Sequence, residues 1–336
     1  MKKIISVHFR AFPCILMLCT LYSCDKDEPI NTYNYQSNRL RVIEIQKSGS
    51  SDNKILAFSD WNAYDSTLTS LINLIDEREE EFLSSYGYMD DEELNDYEDS
   101  IGYDEYQPLK DFETTLSFNS SRQDFEIAEN EWLDNENLDT VNIPDNNFSG
   151  LDEEELTLLN KDKAVIVNDT FYVFGNDSLY KFSEQDDYLE FVNATSQTQI
   201  FLAKTLDDED CKGWKWRAGA RIYVKNSKFY YAMLKIRYHN YPHKAVTKAK
   251  IKSYRLKNGK WKKYRTRLRV TSDSQLRDVD CGWVQNINDS WKDKRRKSLG
   301  NFASYYNTII MRVKKYQVFG HYEWNNQGSE IEFLYW

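Results

Sequence analysis

The chain has 336 residues, a formal net charge of −10 and an aromatic content of 15%, with 24 Tyr, 17 Phe and 9 Trp. After the first two dozen residues it has no apolar run long enough for a helix to cross about 30 Å of hydrocarbon, which excludes a second transmembrane segment. The remaining length is sufficient for two domains.

The N-terminal residues predict an exported protein. Lys2, Lys3 and Arg10 precede an apolar run, 11–22, of about 12 residues, which is the length of a signal-peptide core and too short to span a bilayer. The run ends in Leu21-Tyr22-Ser23-Cys24, and Asp25-Lys26-Asp27-Glu28 follows. An ordinary cleaved signal that happens to contain a cysteine is the alternative.

Residues 21–24 resemble the lipobox of bacterial lipoproteins, in which the cysteine becomes the acylated first residue. The resemblance implies a signal peptide at 1–23, several acyl chains such as palmitate on Cys24, and a lipidated tether at 24–51. The charged residues 26–28 resemble the export tag of Bacteroidota lipoproteins. They imply a location on the outer membrane, facing the cell exterior, with the membrane as a partner through the lipid.

Charge divides the rest of the chain into two halves. Residues 25–210 contain 46 Asp and Glu against 12 Lys and Arg, a net charge of −34. Residues 211–336 contain 8 acidic against 29 basic residues, a net charge of +21. We therefore predict an acidic α+β domain at 52–206 and a basic all-β domain at 207–336.

Two cysteines remain after the leader and Cys24, namely Cys211 and Cys281. Each follows an aspartate and is soon followed by Gly-Trp, in Asp-Cys-Lys-Gly-Trp and Asp-Cys-Gly-Trp. An even pair in an exported chain favours a disulfide, and two buried free thiols are the alternative. Two sulfurs with no histidine beside them do not indicate a metal site.

The acidic half predicts short strands and helices in alternation. In chain order these are an edge strand within 39–45, a strand at 54–58, a helix capped by Ser59 or Asp60 and ending at Gly87, and helices at 119–135 and 151–159. Residues 89–105 are dense in Asp, Glu and Tyr with little apolar periodicity, which predicts a flexible acidic loop.

Residues 164–174 predict a β-hairpin with Asn168-Asp169 at its turn, and 186–193 predict a further helical turn. With Leu158-Leu159-Asn160 before it and Ser178-Leu179-Tyr180 after it, the hairpin resembles one found in uncharacterised Bacteroidota lipoproteins. This resemblance covers roughly residues 50–200 and implies no particular reaction.

The basic half predicts about seven strands and almost no helix. Strands at 246–257 and 260–270 flank Asn258-Gly259, a strong hairpin signal. Apolar and basic residues alternate along the first of them, which gives it an apolar and a basic face. We expect an antiparallel sandwich-like domain, so that the whole chain belongs to the α+β class, with a positively charged loop at 291–298.

The basic residues of these segments are candidates for binding a polyanion: Lys248, Lys250, Lys252, Arg255, Lys294, Arg295, Arg296 and Lys297. Three interpretations are open. The basic face binds an external polyanion, docks onto the protein's own acidic half, or only keeps the surface soluble.

No nucleophile, phosphate-loop or dinucleotide motif is present, and Pro242 between His239 and His243 excludes a helical metal face. We therefore expect no catalytic residue, metal or cofactor. The favoured function is a non-catalytic binding or adhesion module that engages a glycan or another polyanion, with nucleic acid not expected. An accessory subunit that binds an envelope protein, with its halves docked, is the alternative, and a carboxylate-dependent glycan hydrolase is a third.

Overall fold

The computed structural model describes residues 40–45, 54–135, 144, 148, 151–175, 179–194, 218–224, 230–277, 283–288, 292–306, 312–324 and 327–335. Helices concentrate in the first half of these residues and antiparallel sheets in the second, which confirms the α+β class. The elements of the first half are β1 (Leu40–Glu44), β2 (Lys54–Phe58), α1 (Trp61–Tyr86), α2 (Asp91–Ile101), α3 (Gln107–Thr114), α4 (Ser121–Leu133), α5 (Glu153–Thr157), β3 (Ala164–Val167), β4 (Thr170–Phe174), β5 (Leu179–Phe182) and α6 (Gln185–Asn193).

The first sheet has the strand order β1-β2-β3-β4-β5, with β2 and β3 parallel and the other neighbours antiparallel. The predicted hairpin is β3–β4, and its turn residues Asn168 and Asp169 have φ angles of 50° and 55°. Both residues tolerate this left-handed region, which a tight hairpin turn requires. Helix α6 packs against the sheet through Tyr188, whose ring stacks on that of Phe171.

Helix α1 begins and ends where the sequence predicts. Asp60 is its N-cap and accepts a hydrogen bond from the Ala63 backbone N–H at 2.8 Å, and Gly87 is its C-cap. Leu68, Leu71 and Ile75 lie on its buried face, in agreement with the predicted 3.6-residue stripe.

The flexible loop predicted at 89–105 is wrong, because its centre forms helix α2. Asp90 accepts a hydrogen bond from the Glu93 backbone N–H at 2.8 Å, and the Glu93 carboxylate accepts one from the Asp90 N–H at 3.3 Å. This reciprocal capping box starts the helix, and Gly102 ends it with a φ of 66°. The segment lacks an apolar stripe because basic side chains from later strands, described below, pair with it instead.

The second half contains β6 (Ala218–Val224), β7 (Tyr230–Asn240), β8 (Lys244–Lys257), β9 (Lys260–Lys263), β10 (Thr266–Arg277), β11 (Trp283–Asn288), β12 (Lys292–Arg296), β13 (Ser298–Tyr306), β14 (Arg312–Trp324) and β15 (Gln327–Tyr335). One sheet has the order β13-β8-β7-β6, with β9 paired to β8, and we call it the inner sheet. The other has the order β11-β10-β14-β15, with β12 also paired to β10, and we call it the outer sheet.

The β8–β9 hairpin turns at Asn258 and Gly259, with φ angles of 54° and 77°, as predicted. The positively charged loop predicted at 291–298 is wrong, because residues 292–296 form a strand. This strand, β12, is antiparallel to the first half of β10. Lys294, Arg295 and Arg296 each pair with a carboxylate of the acidic helices, and Asp293 pairs with Arg269 of β10, so that this charged run can join a sheet.

The inner and outer sheets pack face to face, with β10 against β8 and β13, and β14 against β7. Gly320 on β14 lies close to side chains of the inner sheet. A Cβ at Gly320 would lie 3.1 Å from Leu234 Cδ1 and 3.2 Å from Ile251 Cδ1. The absent side chain therefore allows the two layers to meet.

The opposite face of the inner sheet is covered by the helices of the acidic half. Trp132 and Leu133 at the end of α4 join one hydrophobic cluster with Tyr231, Tyr254 and Trp261. Residues Gln36–Trp336 group into one compact unit. Buried ion pairs lie where the helices meet the inner sheet.

Candidate functional site: a buried ion-pair interface and an adjoining cleft

The inner sheet presents like charges side by side on its helix-covered face. In the register of β7 and β8, Lys235 lies opposite Lys250 and Arg237 lies opposite Lys248. All four residues are buried or half-buried. Because like charges directly opposite each other destabilise a sheet, this face requires anions above it.

Helix α5 supplies those anions from the segment Asp152-Glu153-Glu154-Glu155. Glu153 binds both the Lys250 ammonium, at 2.7 Å, and the Lys252 ammonium, at 2.9 Å. Glu155 lies 2.8 Å from the Lys248 ammonium. Asp152 caps the helix and lies 3.3 Å from Lys235 Nζ, so that the start of one short helix neutralises four positions of the sheet.

A second cluster is centred on Arg265, which lies between β9 and β10 and has no exposed surface. Its Nη1 and Nη2 atoms donate to the two carboxylate oxygens of Glu79 on α1, at 2.6 and 2.9 Å. Its Nε donates to Glu98 on α2. Tyr103 donates its hydroxyl hydrogen to Glu79 at 2.9 Å, and Lys297 Nζ lies 2.9 Å from Glu98.

A third cluster lies at the start of α1. Asp65 binds His243 Nε2 and the Lys244 ammonium, each at 2.7 Å. The His243 ring stacks on Trp61, with ring centroids 4.9 Å apart. The histidine therefore pairs with a carboxylate and an indole of the acidic half.

All eight predicted polyanion-binding residues pair with carboxylates of the acidic half. Beyond those already named, Arg255 binds Glu92 at 2.8 Å, and Lys294 binds Glu80 at 2.7 Å. The Arg295 and Arg296 guanidinium groups bind Asp91 and Asp76, each at 2.5 Å. These positions match the docking interpretation of the basic face.

The cations stabilise the ionised form of the buried carboxyl groups. Burial alone would raise the pKa of Glu153, but Lys250, Lys252 and Lys263 outweigh it and hold that pKa well below its usual range. Burial likewise opposes ionisation of Glu79, and Arg265 and Tyr103 lower its pKa overall. Asp65 has a lowered pKa for the same reason, through His243 and Lys244.

Glu105 is the contrasting case. It is buried, and none of the ion pairs described above involves it. Burial and the nearby Glu79 charge raise its pKa to about 7. Glu154 also has a raised pKa, through burial and the charges of Asp152 and Glu153, although Lys250 opposes this.

A cleft of about 440 Å³ adjoins the interface. Leu68, Ile72 and Ile75 of α1 line it, together with residues of β12 and β13. Glu105 and Glu154 line it, as do four of the predicted cations, which are Lys248, Lys250, Lys294 and Arg296.

Cys24, Cys211 and Cys281 lie outside the described residues, so that lipidation and the disulfide remain predictions. Within the described ranges, no helix is long and apolar enough to span a bilayer. Those ranges also contain no group of three or more His, Cys, Asp or Glu placed to hold a metal ion.

No family model matches the chain. No curated protein matches it either. Among solved structures it is similar to a DUF4848 family protein from Bacteroides thetaiotaomicron, with 11% sequence identity and a TM-score of 0.17, over 88% of this chain and 100% of that one. At such a TM-score we draw no conclusion about fold or function from the similarity.

The sequence did not identify the residues that neutralise the basic strands. Glu79, Glu98 and Asp65 look like ordinary helix residues, and Arg265 is one of many arginines in its half. One pattern in the sequence did point to the pairing of helix α5 with strand β8. Three glutamates follow Asp152 directly, and a Lys-x-Lys-x-Lys pattern starts at Lys248, so that a short acidic helix faces a strand with lysines on one side.

Proposed function

We propose that this chain is a non-catalytic accessory module of the cell envelope, anchored in the outer membrane through lipid on Cys24. Its basic strands serve its own architecture, and the acidic helical half covers them. The observation that supports this most directly is the pairing of all eight candidate cations with carboxylates of the same chain.

The pairing argues against polyanion binding through the basic face. A polyanion would have to displace carboxylates such as Glu153, which is buried and bound to two lysines at 2.7 and 2.9 Å. Breaking a buried pair costs about 3–5 kcal/mol, which the contacts of an incoming polyanion would have to offset.

Heparin chromatography of the purified full-length chain tests the proposal. We expect the protein to elute without retention at about 0.15 M salt, where only close contacts between charges remain effective. A matched variant, Glu80→Gln with Glu92→Gln and Asp96→Asn, removes carboxylates that bind the exposed Lys294 and the half-buried Arg255 and Lys257, and should be retained longer. Retention of the unmodified chain under these conditions would show that the basic face binds polyanions.

The proposed lipid anchor on Cys24 is tested by a separate experiment. Cells that express the chain with labelled palmitate should incorporate label into the protein, and Cys24→Ser should abolish both the label and membrane association. Protease added to intact cells should degrade the unmodified protein if it faces the exterior. An unlabelled wild-type chain would contradict the lipid anchor.

A further inference from the structure

Four of the described side chains that line the cleft have polar atoms without a hydrogen-bond partner. One is Asp152, whose Oδ1 forms ion pairs with Lys235 and Lys250 at 3.3 and 3.5 Å. The others are Glu105 with Oε1, Arg296 with Nε and Nη2, and Ser298 with Oγ, and these residues are only 5%, 7% and 9% exposed. Arg296 uses its Nη1 to bind Asp76 and its Nε lies 3.9 Å from Glu79, so Nη2 remains for another partner. Buried polar atoms are nearly always hydrogen-bonded, and a buried polar atom without a partner destabilises the fold. Glu105, Arg296 and Ser298 all line one cleft, so that a ligand bound there is placed to supply the missing partners.

The three groups differ in what they require from a ligand. The Arg296 guanidinium can only donate a hydrogen bond, an ionised Glu105 can only accept one, and the Ser298 hydroxyl does both. Alcohol hydroxyl groups also donate and accept. A molecule with several hydroxyls therefore satisfies all three residues at once.

The charge of the lining favours a neutral ligand. Six acidic and five basic residues line the cleft, so neither sign dominates. An anion would approach Glu105 and Glu154, whose ionisation is already disfavoured, and a cation would approach Arg296 and Lys294. Both would face like charge inside the cleft.

The cleft also has apolar surfaces that suit the C–H faces of a sugar ring. Leu68 and Ile72 provide aliphatic surface on α1, and Phe302 on β13 is 42% exposed. The Lys292 ammonium lies 5.0 Å from the centroid of the Phe302 ring. The electron-rich ring face that attracts this ammonium also attracts the polarised C–H groups of a pyranose. The volume, about 440 Å³, is within the range of small-ligand sites.

We propose that this cleft binds a neutral sugar unit. Glu105, Arg296 and Ser298 bond its hydroxyl groups, and Phe302 packs against its C–H face.

Saturation-transfer NMR on the purified full-length chain tests this, with glucose, galactose, mannose and N-acetylglucosamine as probes and glucuronate as the anionic comparison. We expect signal from at least one neutral sugar. Phe302→Ala and Ser298→Ala should each raise its Kd by about tenfold. Tyr306→Ala is the matched control, because Tyr306 is an exposed aromatic of the same strand that does not line the cleft.

Ser298→Ala separates a binding role from a structural one. The variant removes a buried hydroxyl without a partner, so the midpoint of thermal unfolding should not fall while sugar affinity does. A lower midpoint with unchanged affinity would assign Ser298 to stability and overturn the proposal. Lack of signal from every neutral sugar, binding of glucuronate alone, or binding that survives both substitutions would overturn it as well.

Discussion

Arg265 and Glu79 form a two-pronged ion pair from which solvent is excluded. Guanidinium nitrogens and carboxylate oxygens meet at 2.6 and 2.9 Å, and neither side chain has exposed surface. The residues are 186 positions apart in the chain, one on a helix of the acidic half and one between strands of the basic half. The pair therefore joins the two halves.

Replacing Glu79 with Gln should destabilise the protein by about 3–5 kcal/mol, because the Arg265 charge loses its two-pronged partner in a buried site. Urea unfolding followed by tryptophan fluorescence measures this change. The neighbouring Glu80→Gln is the control, since Glu80 forms an exposed pair with Lys294 and should change stability little.

The variant Glu79→Met with Glu98→Gln and Arg265→Met distinguishes loss of an ion pair from loss of shape. It removes the Arg265 charge together with the charges of both carboxylates that Arg265 binds, and stability should recover much of what Glu79→Gln loses. A triple variant no more stable than Glu79→Gln would show that charge compensation is not what this site provides.

Much of the fold could be predicted from residues that are close together in the chain. The turns at Asn168-Asp169 and Asn258-Gly259 and the cap at Asp60 depend on neighbouring residues alone, and all three are confirmed. Helix α2 was missed because its partners are far away in the chain. Its buried Glu98 meets Arg265, 167 positions later, and its exposed Asp96 meets Lys257.

Separation of the partners along the chain also explains why the site could be predicted only in part. Alternation along β8 identified a basic face, and charge counting suggested docking between the halves. Neither shows which carboxylate meets which cation, because that depends on how α1, α2 and α5 lie over the sheet. The Glu105–Arg296–Ser298 group combines two distant segments and has no local pattern.

The close approach of the sheets at Gly320 predicts a steric effect. Gly320→Val should cost about 1–3 kcal/mol, since any side chain there must displace Leu234 and Ile251. Gly300→Ala is the comparison, because its Cβ would meet only the Ala249 carbonyl oxygen, at 3.9 Å. Equal losses in urea unfolding would show that the sheets can separate at Gly320 without cost.

The predicted disulfide between Cys211 and Cys281 can be tested by mass spectrometry and by unfolding. Mass spectrometry of the non-reduced exported protein, after protease digestion, should find one peptide pair joined through these cysteines. Replacing both with Ser should lower the free energy of unfolding by about 2–4 kcal/mol, because the unfolded chain gains freedom. Two cysteines that react freely with a thiol reagent in the unfolded, non-reduced protein would contradict the bridge.

Glu105 predicts an unusual dependence of stability on pH. Its pKa is raised to about 7 in the folded protein, and an unfolded glutamate titrates near 4.3. Between these values the folded state binds more protons than the unfolded state, so that this residue makes stability fall as the pH rises from about 4.3 to 7. Above pH 7 its contribution is constant.

Glu105→Gln removes this titration. Relative to the unmodified protein, the variant should gain stability between pH 5 and pH 8 in urea unfolding series. Glu79, Asp65 and Glu153 have lowered pKa values and act in the opposite direction, but their stabilisation is lost only as the pH falls through the acidic range below about 4, in both proteins. The difference between the two unfolding series therefore isolates Glu105. A difference that stays constant from pH 5 to 8 would show that its carboxyl group titrates normally in the folded protein.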